Sequence, residues 1–100
     1  MKFPWFSIIR IKGVSMEPEY KPGDFVLISK SPFTLRNLKV NDDIVFNHAV
    51  LGKLLKQIIS VQSDDYYSVA GLNPESISTE KLGLIHKDSI IGKVIYHISK

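Results

Sequence analysis

The stretch Gly13-Val14-Ser15-Met16-Glu17-Pro18-Glu19-Tyr20-Lys21-Pro22-Gly23-Asp24-Phe25-Val26-Leu27-Ile28-Ser29 decides how the rest of the chain is read. Its first half carries Gly and Pro where a backbone turns. Its second half, from Asp24 to Ser29, is a run of aromatic and branched aliphatic residues, the composition that suits a pleated strand. Outward from it, Ser7 to Ile11, Asp43 to Asn47, Leu54 to Val61, Tyr66 to Ala70 and Ile90 to Ile98 have the same character. Pro-Gly, Asn-Asp-Asp, Ser-Asp-Asp and Asn-Pro separate them, all residues that favour turns through fixed φ, positive φ or local side-chain hydrogen bonds. A 3.6-residue apolar period with caps is absent, apart from one helical turn after Ser15 or around Glu80. The expected fold is mainly β, a small coiled sheet that resembles a barrel and brings together residues far apart in sequence.

The 100 residues, 44% hydrophobic and 23% charged, suit one folded domain over 1–100, with no low-complexity stretch or internal repeat. No cysteine is present, which excludes disulfides, thiol catalysis and cysteine-bound zinc. A formal charge of +3 comes from scattered basic residues such as Lys12, Lys21, Lys30, Arg36, Lys39 and Lys53. Without a basic cluster interleaved with aromatics, or a reading motif, nucleic acid is not an expected partner. No metal-ligand cluster stands out, and no cofactor is expected.

Near the start, Phe3, Trp5, Phe6, Ile8, Ile9 and Ile11 form an apolar group interrupted by Pro4, Ser7, Arg10 and Lys12. The uninterrupted run falls short of the ~18 apolar residues of a membrane-spanning helix. It reads as a first strand with an aromatic lead-in, and Phe3, Trp5 and Phe6 are candidates for contact with a membrane surface. The expected location is cytoplasmic or peripheral at a membrane.

Ser15 lies after one strand and before a Pro-containing turn, so its hydroxyl is displayed at an edge, with Gly13 allowing close approach of a substrate backbone. A serine in a Gly/Pro turn is commonly structural, and it becomes a nucleophile only beside a base. His48, His86 and His97 lie in strand or loop settings that mark none of them as that base. Lys56 sits within Leu54-Leu55-Lys56-Gln57-Ile58-Ile59. There, desolvation by Leu54, Leu55, Ile58 and Met16 is expected to disfavour the ammonium and prepare the amine to accept a proton. The bland alternative is a lysine pointing to solvent from an alternating strand.

Gly13-Val14-Ser15-Met16-Glu17-Pro18 followed by Gly23-Asp24-Phe25-Val26 resembles the nucleophile box shared by the signal peptidase I family and the LexA-like self-cleaving repressors. The resemblance continues in order along the chain. Asp42-Asp43-Ile44-Val45 is similar to a Gly-Asp-Ile-Val strand, Lys56-Gln57-Ile58-Ile59 to the box of the catalytic lysine, and Gly71-Leu72-Asn73-Pro74-Glu75-Ser76 to a Gly-Asp-Asn box with its serine. Leu82-Gly83-Leu84-Ile85 through Ile91-Gly92-Lys93-Val94 is similar to the closing segment. Leu72 replaces an aspartate, and Ser78-Thr79-Glu80-Lys81 replaces an Asp-Ser-Arg triplet.

The chain is thus identified as a compact, anchorless member of the signal peptidase I type, with the LexA-like peptidase domain as second choice. The resemblance implies a serine endopeptidase in which Ser15 is nucleophile, Lys56 general base and Ser76 the residue that orients the lysine amine. Gly13 and Met16 support the site, and the backbone N–H of Ser15 contributes to the oxyanion hole. The implied partner is a peptide or preprotein with small residues before the cut, from which a leader or signal segment is removed. Alternatives are a phage-repressor-like peptidase domain and a non-catalytic binding module that retains the fold. Self-cleavage is not expected, because Ala70-Gly71 lies downstream of Ser15.

Overall fold

A computed structural model describes residues 5–13, 15–63 and 65–99. Seven strands form one antiparallel sheet in the order β1-β2-β7-β3-β4-β5-β6. They are β1 (Phe6–Arg10), β2 (Phe25–Ser29), β3 (Asp43–His48), β4 (Gly52–Val61), β5 (Tyr66–Ala70), β6 (Ile85–His86) and β7 (Ile90–Ile98). Six of these coincide with the apolar runs of the sequence to within two residues. The sequence reading omitted β6, which has two residues and so no alternation to show.

Two short helices accompany the sheet, α1 (Pro32–Arg36) and α2 (Thr79–Leu82). The turn expected around Glu80 is α2, and its N-cap, Ser78, accepts a hydrogen bond from the Lys81 backbone N–H. The turn expected after Ser15 is present as the bond from Tyr20 N to the Met16 carbonyl, 2.9 Å. Helix α1 was not expected. It begins with Pro32, whose missing N–H is harmless in a first turn, and it places Leu35 against the core.

Alternation along β3 divides the core. Ile44 and Phe46 join Ile58, Tyr67, Val69, Leu82 and Ile85 on one face, with Leu54 packed against them. Val45 joins Ile11, Met16, Tyr20, Val26 and Ile28 on the other, with Ile9, Leu55 and Leu72 alongside. Both faces of the central strands are therefore covered, which two-sided apolar strands require. Register shifts between Leu27 and Ile28, Val45 and Phe46, and Ile58 and Ser60 coil the sheet. The hairpin from β3 to β4 closes on His48, whose Nδ1 accepts from Val50 N and Leu51 N, each at 3.1 Å.

Candidate active site

The excursion between β1 and β2 carries Ser15, and β1 extends toward it through a bond from Ile11 N to the Asp24 carbonyl, 2.7 Å. Gly13 follows with φ of +80°, a conformation that glycine adopts without strain. Ser15 itself is half-buried. Its carbonyl oxygen accepts two hydrogen bonds, from Leu72 N and Asn73 N, both at 2.8 Å. These bonds tie the serine segment to the end of β5. The loop that follows is folded on Asn73, whose side-chain oxygen accepts from Glu75 N and whose carbonyl accepts from Ser76 N, both at 2.9 Å.

Gly71 is the point where these pieces meet. A β-carbon at this position would stand 2.7 Å from the Ser15 carbonyl oxygen and closer still to Ser76 Oγ. Only a residue without a side chain permits the approach. Gln57 pairs with Ala70, so one step further along the ladder Lys56 lies beside Gly71. Cross-strand neighbours share a face of the sheet, so Lys56 leaves β4 on the face of Ile44, its partner on β3.

Lys56 is only 2% exposed. Its partner on β3 is Ile44, and Leu54 and Ile58 flank it on its own face of β4. No ion pair between described residues includes it. Burial without a compensating charge pushes the amine below the ordinary lysine value. One detail of the sequence reading is corrected. Leu55 and Met16 were expected to help desolvate Lys56, but both belong to the core on the opposite face. The apolar neighbourhood of Lys56 comes from Ile44, Leu54 and Ile58.

A groove of about 580 Å³ adjoins the serine. Residues 8–13 form one side, Val45 and Lys53 to Leu55 the other, and Ser15 and Met16 also line it. Lys56 is not among the lining residues. Gly13 and Ser15 thus open on the groove, whereas Met16, 3% exposed, is chiefly a core residue. Leu72, in place of an expected aspartate, packs into the second core and contributes its backbone N–H to the Ser15 carbonyl.

The histidines are engaged elsewhere. His48 caps its hairpin, His86 stacks edge-on with Tyr66, and His97 Nε2 lies 2.8 Å from Asp24 Oδ2 while stacking on Tyr20. Trp5 and Phe6 are exposed, at 50% and 44%, and Phe3 lies outside the described residues. Among the described residues no helix is long and apolar enough to cross a membrane, and no group of acidic or histidine side chains is arranged to hold a metal ion.

Sequence reasoning missed Gly71, whose signal was its place in the Gly-Leu-Asn box, and the Tyr20–Asp43–His97–Asp24 network, whose members are too far apart for any local pattern. A family model described as Peptidase S24-like matches residues 6–95. It corresponds to the relative that the motifs placed second, after signal peptidase I. No curated protein matches the chain significantly.

Proposed function

The chain belongs to the S24-like peptidase family, and on that premise we propose that it is a serine endopeptidase in which Ser15 and Lys56 form the catalytic dyad. One observation supports the reading: buried Lys56 and Gly71 are the chain neighbours of the paired residues Gln57 and Ala70, and a β-carbon at Gly71 would meet the Ser15 carbonyl oxygen and Ser76 Oγ.

The substrate is a peptide in extended form lying in the groove beside β1. Neutral Lys56 takes the Ser15 hydroxyl proton as Oγ attacks the peptide carbonyl carbon, and Ser76 orients the amine. The oxyanion is met by backbone N–H groups, that of Ser15 among them. Collapse breaks the C–N bond, the leaving amine takes the proton from Lys56, and an ester to Ser15 remains. Lys56 then removes a proton from water, whose attack on the ester releases the acid and restores the serine. The targets in this reading are leader or signal segments with small residues before the cut, as the motif resemblance implies.

Cleavage of the chain's own Ala70-Gly71 bond is disfavoured, because Ala70 is paired with Gln57 inside the sheet. The test is cleavage of small-residue peptides by wild type, Ser15→Ala and Lys56→Arg. Turnover by wild type alone is the expected result. Equal turnover by Lys56→Arg would remove lysine as base, and no turnover by wild type at any pH would leave a binding module.

A further inference from the structure

The groove beside Ser15 has a charge character that the dyad does not need. Its floor is aliphatic, but its lining includes Arg10, Lys12 and Lys53 and no carboxylate. All three cations are exposed, and none takes part in an ion pair between described residues. We infer that the groove selects acidic peptides, segments whose side chains beside the apolar positions are Asp or Glu; this rests on the peptidase reading and names its substrate class.

The geometry follows from β1. It is the first strand of the sheet and, among the described residues, pairs only with β2, so its other edge can accept an added strand. Ile9 and Ile11 belong to, or pack against, the inner core, which leaves Arg10 and Lys12 on the other side of the same extended segment. Residues two apart in such a segment stand ~7 Å apart on one side. A peptide paired along this edge therefore sets one series of alternate side chains next to Arg10 and Lys12, and the other series over the inner face, where Lys53 lines the groove beside Leu55. Carboxylates at the first series meet Arg10 and Lys12, carboxylates at the second approach Lys53, and lysines at either meet repulsion, so these cations attract one class and reject the other.

Two matched peptides test this, identical in their small and apolar residues but carrying Glu in one and Lys in the other at the alternating positions. Binding is read by fluorescence anisotropy with Ser15→Ala, and cleavage with wild type. The expected result is about tenfold tighter binding and about tenfold higher kcat/KM for the acidic peptide at low ionic strength, narrowing in high salt. Replacing Arg10, Lys12 and Lys53 together by Glu should invert the preference. The same three positions changed to Gln should abolish it, a milder variant that guards against loss of fold. Equal binding of the two peptides, or binding of neither, overturns the inference. Tighter binding of the acidic peptide without cleavage of either upholds the acidic groove and overturns the peptidase reading, whereas cleavage of both at equal rates does the reverse.

Discussion

The Tyr20 hydroxyl donates a hydrogen bond of 2.6 Å to Asp43 Oδ2, linking the segment that carries Ser15 to the strand beside that of Lys56. The Tyr20 backbone N–H also closes the turn on the Met16 carbonyl and its ring stacks on His97, so one residue anchors the excursion at three points. Burial raises the Asp43 carboxyl above its ordinary range even though side-chain hydrogen bonds from Tyr20 and Gln57 favour its ionised form. Burial and the Asp43 carboxylate together push the Tyr20 phenol above its ordinary value.

Tyr20→Phe should cost about 1–3 kcal/mol at neutral pH, the range for a hydrogen bond to a charged group. A carboxyl with a raised folded-state pKa contributes stability that is present below the unfolded value and lost as pH rises through the folded one. Without its donor, ionised Asp43 is worse placed still. The cost of Tyr20→Phe should therefore be largest above the Asp43 folded-state pKa and shrink as the pH falls below it. Urea denaturation at several pH values measures this; a cost independent of pH would mean that Asp43 is not the partner that matters.

Gly71→Ala should impair catalysis out of proportion to the size of a methyl group. Its β-carbon would press on the Ser15 carbonyl oxygen, a backbone atom, and on Ser76. Backbone cannot swing aside as the tip of a long side chain does, so the bonds from Leu72 N and Asn73 N must lengthen or the loop must move. A misplacement of about 1 Å is enough to cost on the order of 100-fold in rate. Cleavage kinetics paired with amide chemical shifts of Leu72 and Asn73 would report both effects. Unchanged shifts with full activity would show that the loop absorbs the methyl group.

The outer regions of the fold were legible wherever apolar runs alternate with turn residues, as in Asp24 to Ser29 and Tyr66 to Ala70. The order of the boxes is the reason Ser15, Lys56 and Ser76 are proposed as one site, although 41 positions separate the first two. Which face Lys56 occupies was not legible. Both faces of β4 are covered by core, so Leu54 and Leu55 look equally apolar in sequence while pointing opposite ways, and the assignment of Leu55 and Met16 to the Lys56 side failed for that reason. Helix α1 escaped notice because five residues make less than one and a half turns, with Phe33 exposed and only Leu35 directed inward. The Asp24–His97 contact joins residues 73 apart and has no local signature.

Ser76→Ala separates the orientation of the amine from its basicity. Ser76 packs against Gly71, and in the proposed mechanism it directs the Lys56 amine toward Ser15. Its removal should lower kcat by about 10-fold or more while KM changes little, because the interaction serves the proton transfer rather than substrate binding. Steady-state kinetics decide it. An effect confined to KM would assign Ser76 to the substrate groove instead.

Lys56 should link activity and stability with opposite signs. Burial lowers its folded-state pKa below the ordinary lysine value. A group with a lowered folded-state pKa contributes stability that is present above the unfolded value and lost as pH falls through the folded one. Wild type is therefore penalised at neutral pH relative to a variant that carries no ionisable group there. Lys56→Met, similar in length and apolar, should be inactive yet more stable than wild type at neutral pH. That advantage should fade as the pH approaches the ordinary lysine value near 10.5. Lys56→Arg keeps its charge throughout, and should be both inactive and less stable. For wild type, kcat should rise with pH along a limb whose apparent pKa lies below that of free lysine, and loss of the base should cost about 10²–10⁴-fold. Denaturation curves and pH–rate profiles of the three proteins check the pattern. If Lys56→Met is less stable than wild type at neutral pH, the amine is held by a compensating partner and burial does not prepare it as a base.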